Sequence, residues 1–310
     1  MPCPGGRAAA ALGVGSRPVT SGAFAVSGRP PLNPLPQAGG EARRALAEAA
    51  TAFASVSETP RLDAELLMAH ALGITREALL LRHLDDPAPA TFAPLVTRRL
   101  AHEPIAYITG TRAFWTIDLQ VGPGALVPRA DSETLIEAAV DHFANRAPET
   151  ILDLGTGPGT LLLAALDQWP DAKGLGIDMS PEALGYGRAN ADRLNMADRA
   201  RFESGDWAAG VTGRFDLIFA NPPYIGTGEQ LPAEVRDHEP GSALFAGADG
   251  LDAYRIIAPQ LSRLIAPGGV AILEIGSTQA EAVTALLTVQ GLSVSLRHDL
   301  GGNPRALVVT

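Results

Sequence analysis

The sequence holds a single cysteine, Cys3, among 310 residues. One thiol excludes any disulfide within the chain and any cysteine-rich zinc site, and it suits a reducing compartment. No run of residues approaches the roughly 18–20 apolar positions that a membrane-spanning helix requires. Basic charge is also short: 24 Lys and Arg stand against 34 Asp and Glu, a net charge of −10. No basic run offsets that balance, which argues against a protein that grips nucleic acid through its phosphates. The first 40 residues lack acid altogether. They hold many Gly, Pro, Ala and Ser, carry three Arg and show no periodicity, so residues 1–40 are expected to form a disordered extension. An acid-free leader containing Arg and Ser is also the composition of an organelle transit peptide, the minor alternative. The chain has no internal repeat.

What is present is enough apolar sequence for a sizeable core, in two domains or in one domain with additions. From Glu41 the pattern is helical. Thr59-Pro60 reads as an N-cap followed by proline at the first helical position. Leu62, Leu66, Ala69 and His70 then recur at helical spacing, and Gly73 reads as the C-cap. Thr75 is placed to cap a further helix carrying Leu79, Leu80 and Leu84, and another runs from about Thr91 to Ala101. Pro104 is expected to close this helical domain, residues 41–104. The short runs Ala106-Tyr107-Ile108 and Phe114 to Val121 read as strands of a hairpin, making 105–130 a β-hairpin linker. On such a strand Phe114 and Trp115 face opposite sides. His70, His83, His102, His142, His238 and His298 stand singly and read as surface or packing residues, with no metal site.

From Asp131 helices and strands alternate, the rhythm of an α/β fold with a parallel sheet. The apolar runs Ile151–Leu154, Leu175–Ile177, Phe215–Ala220 and Val270–Ile275 are short and nearly continuous, as strands covered on both faces are. A further strand is expected before Ser204. A last pair, around Leu292–Leu296 and Ala306–Val309, reads as antiparallel.

Two constellations carry chemistry. In the first, Ile151-Leu152-Asp153-Leu154 runs into Gly155-Thr156-Gly157-Pro158-Gly159 and then a helix from Thr160. Glycines after a first strand allow a sharp turn and the close approach of a ligand. About twenty residues on, the second strand ends in Asp178, placed to accept the hydroxyls of a ribose. Asp206 and Trp207 follow the third strand and suit an adenine, by a hydrogen bond and a flat contact. Nicotinamide dinucleotides and S-adenosylmethionine (SAM) both use this layout. The loop lacks the Gly-x-Gly-x-x-Gly spacing that lays a pyrophosphate on a helix N-terminus, and nothing nearby suits hydride transfer.

The second constellation is Asn221-Pro222-Pro223-Tyr224, after the strand Phe215–Ala220. Two prolines remove two backbone donors and fix two φ angles, so the strand stops in a stiff bend. The Asn221 carboxamide oxygen and a proline carbonyl can accept both hydrogens of a planar NH2 group, and the Tyr224 ring can lie against its face. The bend suits an amide or an amino-base, and its pairing with the glycine loop favours methyl transfer over a merely rigid turn.

These motifs resemble the class I SAM-dependent methyltransferases that act on planar nitrogens. The flanking sequence narrows the resemblance. Glu103-Pro104-Ile105-Ala106-Tyr107-Ile108-Thr109-Gly110, Phe114-Trp115, Leu126-Val127-Pro128-Arg129-Ala130-Asp131-Ser132-Glu133-Thr134, Glu239-Pro240, Gly247-Ala248-Asp249-Gly250-Leu251 and Asp299-Leu300-Gly301-Gly302-Asn303-Pro304-Arg305 resemble the HemK-like release-factor glutamine methyltransferases over residues 59–310. Ala130, where the family usually has Pro, and Pro158, in place of a small polar residue, depart from the pattern. So does Ser132, where Thr is frequent.

The resemblance implies a Rossmann-like seven-stranded sheet in residues 131–310, with a small N-terminal helical domain that holds a protein substrate. It implies SAM as methyl donor, contacted by Gly155 to Gly159, Asp178, Trp207 and Asn221. It implies class I peptide chain release factors as partners, methylated at N5 of the glutamine in a Gly-Gly-Gln loop that Asn221, Pro222, Pro223 and Tyr224 bind. Asn221, Pro222 and Tyr224 carry the catalytic roles, and the location is cytoplasmic. An adenine-N6 methyltransferase shares the Asn-Pro-Pro-Tyr bend but needs a basic surface for its nucleic acid, against the net charge. A scaffold that binds a nucleoside without turnover is the non-enzymatic alternative.

Overall fold

The computed structural model describes residues 40–310. Cys3 and almost all of the expected disordered extension lie outside the described residues. The described chain opens with α1 (Glu41–Phe53) and α2 (Pro60–Leu72), followed by α3 (Arg76–Ala78), which runs into a π-helical turn at Leu79–His83, and by α4 (Phe92–Leu100). Gly73 ends α2 at φ +67° and donates to the Ala69 and His70 carbonyls. Thr75 Oγ1 accepts from Ala78 N at 3.2 Å, so both boundaries expected from the sequence form. Pro60 is the first-turn proline of α2 and Thr59 stands at the N-cap position, but its hydroxyl caps no backbone N–H and donates to Asp63 Oδ1 at 3.3 Å instead. Leu46, Phe53, Leu67, Met68, Leu79, Phe92 and Ile108 form the buried core of this part.

The helical region does not close at Pro104. Residues Ile105–Thr109 form a helix, α5, where a strand was expected. Pro104 precedes it with an extended backbone, and its carbonyl accepts from Tyr107 N and Ile108 N at 2.9 and 3.0 Å. The hairpin is shorter than the expected linker: β1 (Thr111–Phe114) pairs antiparallel with β2 (Ile117–Gln120). Trp115 is not on a strand but in the turn, at φ +54°. The Tyr107 hydroxyl donates to the Ala125 carbonyl at 2.5 Å and fastens α5 to the chain after the hairpin.

The remainder is α6 (Glu133–Phe143), β3 (Thr150–Leu154), α7 (Thr160–Gln168), β4 (Lys173–Asp178), α8 (Pro181–Arg193), β5 (Ala200–Ser204), β6 (Phe215–Ala220), α9 (Ala233–His238), α10 (Asp252–Leu264), β7 (Ile265–Glu274), α11 (Ala280–Thr288), β8 (Val294–His298) and β9 (Pro304–Val309). The strands form one seven-stranded sheet in the order β5-β4-β3-β6-β7-β9-β8. Strands β3 to β7 are mutually parallel and β9 runs against its neighbours β7 and β8. Successive side chains of a strand point to opposite faces, and here both faces are buried. Ile151, Leu217, Phe219 and Ile272 pack with Leu135, Leu162 and Leu184 of α6, α7 and α8. Leu152, Ile218, Ala271 and Leu273 pack with Ile257, Leu261 and Val283 of α10 and α11. The near-continuous apolar runs follow from this double covering. No helix among the described residues is long and apolar enough to cross a membrane.

Arg99 of α4 couples the helical part to the sheet domain. Its side chain is 4% exposed, and it meets Asp63 Oδ2 of α2 at 2.8 Å and Glu234 Oε2 of α9 at 2.7 Å.

Candidate active site

The chain leaves β3 toward β4 and β5 on one side and leaves β6 toward β7 on the other. The gap between the carboxyl ends of β3 and β6 is therefore a topological switch point, where α/β sheets bind ligands. Leu154 lies beside Ala220 in the parallel register. The next residues out of the sheet are Gly155 and Asn221, so the glycine loop and the proline bend emerge side by side.

The glycine loop is held from β4. Gly155 N and Thr156 N donate to the Ile177 carbonyl at 2.8 and 3.0 Å. Gly157 N donates to Asp178 Oδ2 and Ser180 N to Asp178 Oδ1, both at 2.8 Å. Asp178 thus clamps the loop with one lone pair of each oxygen, and a carboxylate keeps further acceptor sites on both. Gly155 has φ +72°, and a Cβ there would meet Trp207 Cζ3 at 3.2 Å. The Trp207 ring lies over the glycine, and Trp207 itself adopts φ +49°, a conformation rare outside glycine. Pro158 keeps a role through its carbonyl, which accepts from Asn190 Nδ2 at 3.0 Å. A cleft open to solvent at its mouth is lined by Gly155, Thr156, Gly157, Pro158, Asp178 and Trp207. Gly159 is not on that wall. It precedes α7, and a Cβ there would meet Leu163 and Phe202, so close packing against them accounts for its glycine.

A second hollow is lined by Asn221, Pro222, Pro223, Tyr224 and Glu274. Asn221 and Pro223 border the cleft as well, so the bend is the wall between the two spaces. Asn221 Nδ2 donates to Ser132 Oγ at 3.3 Å. Among the described residues no donor reaches Asn221 Oδ1 or the Pro222 carbonyl, which leaves two acceptors on one stiff turn. The bend is braced from outside. Gln279 Nε2 donates to the Tyr224 carbonyl at 2.9 Å, and a Cβ on Gly250 would meet that same oxygen at 2.2 Å. Burial, then the neighbouring Glu274, push the Tyr224 hydroxyl pKa well above its ordinary value, so the phenol stays protonated.

Sequence reasoning missed four groups here. Asp153 is 1% exposed and borders the cleft. Its Oδ2 accepts from Thr156 Oγ1 at 2.7 Å and from Leu162 N at 3.3 Å, while Oδ1 is buried with no partner among the described residues. Burial raises its carboxyl pKa to about 7, against the Thr156 and Leu162 hydrogen bonds. Glu274 at the end of β7 and Ser132 before α6 are equally buried. Glu239 holds Arg129 Nη2 at 2.5 Å and Val127 N at 3.1 Å, and so pins the segment whose Leu126 and Arg129 border both cavities. The signal was in the sequence: Glu274 ends an apolar strand with an acid, as Asp178 does.

The expected site residues are thus brought together, Gly159 excepted, and the histidines are not. His142 meets the Gly268 carbonyl and His238 the Ala101 carbonyl, and neither lines a cavity. No cluster among the described residues is able to hold a metal ion.

Comparison with known proteins agrees with this architecture. The model of the PrmC N-terminal domain matches residues 44–110. The model of a methyltransferase domain matches residues 146–290. The release factor glutamine methyltransferase of Rhodospirillum rubrum is 45% identical over 81% of this chain and 79% of its own. That of Bradyrhizobium diazoefficiens is 42% identical over 86% and 92%, and that of Moorella thermoacetica 41% over 80% and 90%. Among solved structures, the catalytic domain of hMettl16, determined with a MAT2A 3'UTR hairpin, superposes with a TM-score of 0.50 at 16% identity. The match covers 62% of this chain and 74% of that one, a likeness of fold alone. Identity at this level, spread over both the helical part and the sheet, means that the chain belongs to the release factor glutamine methyltransferase family.

Proposed function

We propose that this protein transfers a methyl group from SAM to the side-chain amide nitrogen, N5, of the glutamine in the Gly-Gly-Gln motif of class I peptide chain release factors. The observation that carries this reading is the shared wall: one rigid bend borders both a glycine-lined cleft and a second hollow, with two free acceptors on it.

The cleft suits SAM. The ligand bears cationic groups, and Asp153 offers a buried carboxylate oxygen with no partner among the described residues. The glycine loop presents little side-chain bulk, Asp178 has acceptor sites to spare for ribose hydroxyls, and Trp207 offers an aromatic face. When bound, SAM supplies a methyl carbon made electrophilic by its sulfonium. Asn221 borders the donor cleft and the acceptor hollow alike.

An amide nitrogen is a weak nucleophile, because its lone pair is delocalised into the carbonyl. Asn221 Oδ1 and the Pro222 carbonyl would each accept one of its N–H groups, which favours the positive charge that grows on nitrogen during transfer. Their rigidity fixes the aim of the nitrogen beforehand. Pro223 and the buried Tyr224 would close on the amide plane and exclude water. The proton leaves nitrogen after transfer, so no histidine is needed. The helical part, 41–104 extended by α5, would hold the release factor, with residues 110–130 as the connection to the catalytic domain, 131–310. Such a substrate belongs to the cytoplasm.

The test is mass spectrometry of a purified release factor after incubation with this protein and SAM, with an adenine-containing nucleic acid in parallel. A gain of one methyl on the Gly-Gly-Gln peptide is expected. Methylated adenine with an unmodified release factor would overturn the reading.

A further inference from the structure

SAM carries two cations, the sulfonium and the α-amino group, and one anion, the carboxylate. The cleft can meet the cations with three acids, Asp153, Asp178 and Asp206, and it is bordered by a single base, Arg129. Among the described residues no Lys or His lines either cavity, whereas Arg129 borders both. A carboxylate set among the three acids without a cation would be repelled. The glycine loop offers no substitute, because its amides are committed. Gly155 N and Thr156 N donate to the Ile177 carbonyl, Gly157 N to Asp178 Oδ2 and Gly159 N to the Thr156 carbonyl, and Pro158 has no N–H to give. The first amides of α7 remain as the competing place for an anion.

Arg129 has donors to spare. A guanidinium carries five N–H groups. One of them, on Nη2, goes to Glu239 Oε1 at 2.5 Å, and among the described residues no acceptor meets the other four. The Glu239 side chain is fully buried and also accepts from Val127 N at 3.1 Å, so it anchors one edge of the guanidinium. The Arg129 side chain keeps 35% of its surface exposed. Other arginines of this protein hold two carboxylates at once: Arg99 holds Asp63 and Glu234, and Arg305 holds Asp131 and Asp299. Arg129 holds one, and a second place on it is open.

We propose that Arg129 binds the carboxylate of the methyl donor, while Glu239 anchors the guanidinium by its other edge. The assignment rests on SAM as the donor of the proposed function and is independent of which acceptor is methylated. A Gly-Gly-Gln segment in the hollow carries no charge there, so of the two ligands only SAM calls for a cation. The planar fork of an arginine matches a carboxylate with two parallel hydrogen bonds, both of them charge-assisted. Arg129 is thereby a specificity-determining residue: it favours SAM over an analogue that keeps the sulfonium, the amine and the nucleoside but lacks the carboxylate.

The experiment titrates the full chain, without release factor, with SAM and with decarboxylated SAM, by calorimetry at one ionic strength. The wild type is expected to hold SAM about thirtyfold more tightly than the decarboxylated ligand, the effect of a charge-assisted pair of hydrogen bonds. In Arg129→Gln the ratio is expected to fall to about one or below. The affinity of that variant for the decarboxylated ligand should stay within about threefold of the wild type, which also shows that it is folded. Arg129→Lys, a point charge without the fork, is expected to keep a ratio of about three to ten. A wild type that takes both ligands equally overturns the assignment, and this arm needs no variant to fold. An Arg129→Gln protein that weakens for both ligands by the same factor overturns it as well, because the ion pair with Glu239 is then purely structural. So does one that keeps the full preference at unchanged affinities, which places the carboxylate on the first amides of α7. A wild type that binds neither ligand rejects SAM as the donor and the assignment with it. A preference that Arg129→Gln removes, in a protein that methylates no release factor, upholds the assignment and rejects the substrate of the proposed function instead.

Discussion

Asp153→Asn replaces a buried carboxyl by its neutral isostere and should change how stability responds to pH. Asp153 is 1% exposed, and burial raises its pKa from 3.8 to about 7. A carboxyl whose folded value lies above its unfolded value favours folding while it is protonated. That contribution is complete below about 3.8 and is lost as the pH rises through about 7. Between about pH 5 and pH 7 the unfolded chain is already ionised at this position and the folded one is not, so the loss integrates to about 2 kcal/mol. For a chain of this size, with an unfolding entropy of about 2.1 cal/mol/K per residue, that is roughly 3–4 °C in Tm. The carboxyls pulled below their ordinary values, among them Glu65, Glu103 and Asp299, titrate at lower pH and leave this window alone. Glu274, raised to about 7 by the same cause, adds a comparable slope.

Calorimetric Tm values from about pH 5 to 8 should therefore fall in the wild type, about half as steeply in Asp153→Asn, and hardly at all in Asp153→Asn/Glu274→Gln. The proposed donor adds a second readout. A cation in the cleft favours ionised Asp153, so SAM binding at about pH 6 should release a proton, visible as a buffer-dependent binding enthalpy that Asp153→Asn removes. A Tm profile of Asp153→Asn as steep as that of the wild type would refute the reasoning, because the titrating group would then lie elsewhere.

Three further substitutions test the bend and the clamp, and one the coupling of the helical part. Asn221→Ala should lower kcat by about a hundredfold and weaken SAM binding by less, measured by steady-state kinetics and titration calorimetry. Asp178→Ala releases Gly157 N and Ser180 N and should raise the SAM dissociation constant by about tenfold or more, whereas an unchanged constant removes it from the ribose role. Gly155→Ala places a Cβ against Trp207 at a left-handed backbone position. It should cost about 1–2 kcal/mol in urea denaturation and alter the tryptophan fluorescence. Arg99→Ala strands Asp63 and exposes Glu234 to no partner. A loss of about 3 kcal/mol is expected, with Arg99→Met less harmful than Ala because it refills the packed volume.

The elements legible in the sequence were those with a repeating or obligatory signal. Phe215–Ala220 is apolar on both faces and ends in two prolines, and no other structure accommodates both facts. Gly73 and Thr75 supplied their caps as backbone chemistry requires. Ala106-Tyr107-Ile108 misled because three apolar residues fit a buried strand and one helical turn equally well. The preceding Pro104, able to start a helix, and Gly110, closing it at φ +76°, were the deciding residues. Trp115 was placed on a strand by its neighbours, yet the hairpin turns there. The polar residues beneath the site were the least legible. Ser132 is 89 positions away from Asn221, and Glu239 is 110 positions away from Arg129. Long separations of this kind are joined only by the order of the strands.

That order also explains why the proposed donor and acceptor sites share one wall. In a parallel sheet the strand ends line up, so residues that leave neighbouring strands in register emerge at the strand spacing, about 5 Å. Leu154 and Ala220 are in register, and the residues after them serve opposite needs. Gly155 needs the absence of a side chain, so that the cleft reaches the backbone. Asn221 needs a side chain, but one whose backbone cannot yield. Two prolines supply that stiffness without a partner strand, which a bend at the end of the sheet does not have. Exchange of either solution would defeat both sites: a side chain at Gly155 meets Trp207, and a glycine in place of Pro222 frees the turn that carries the two acceptors. The distance between the spaces is therefore set by sheet register, the most rigid length in the fold, and the buried carboxyls that border them, Asp153 and Glu274, sit within the strands and move only with the sheet.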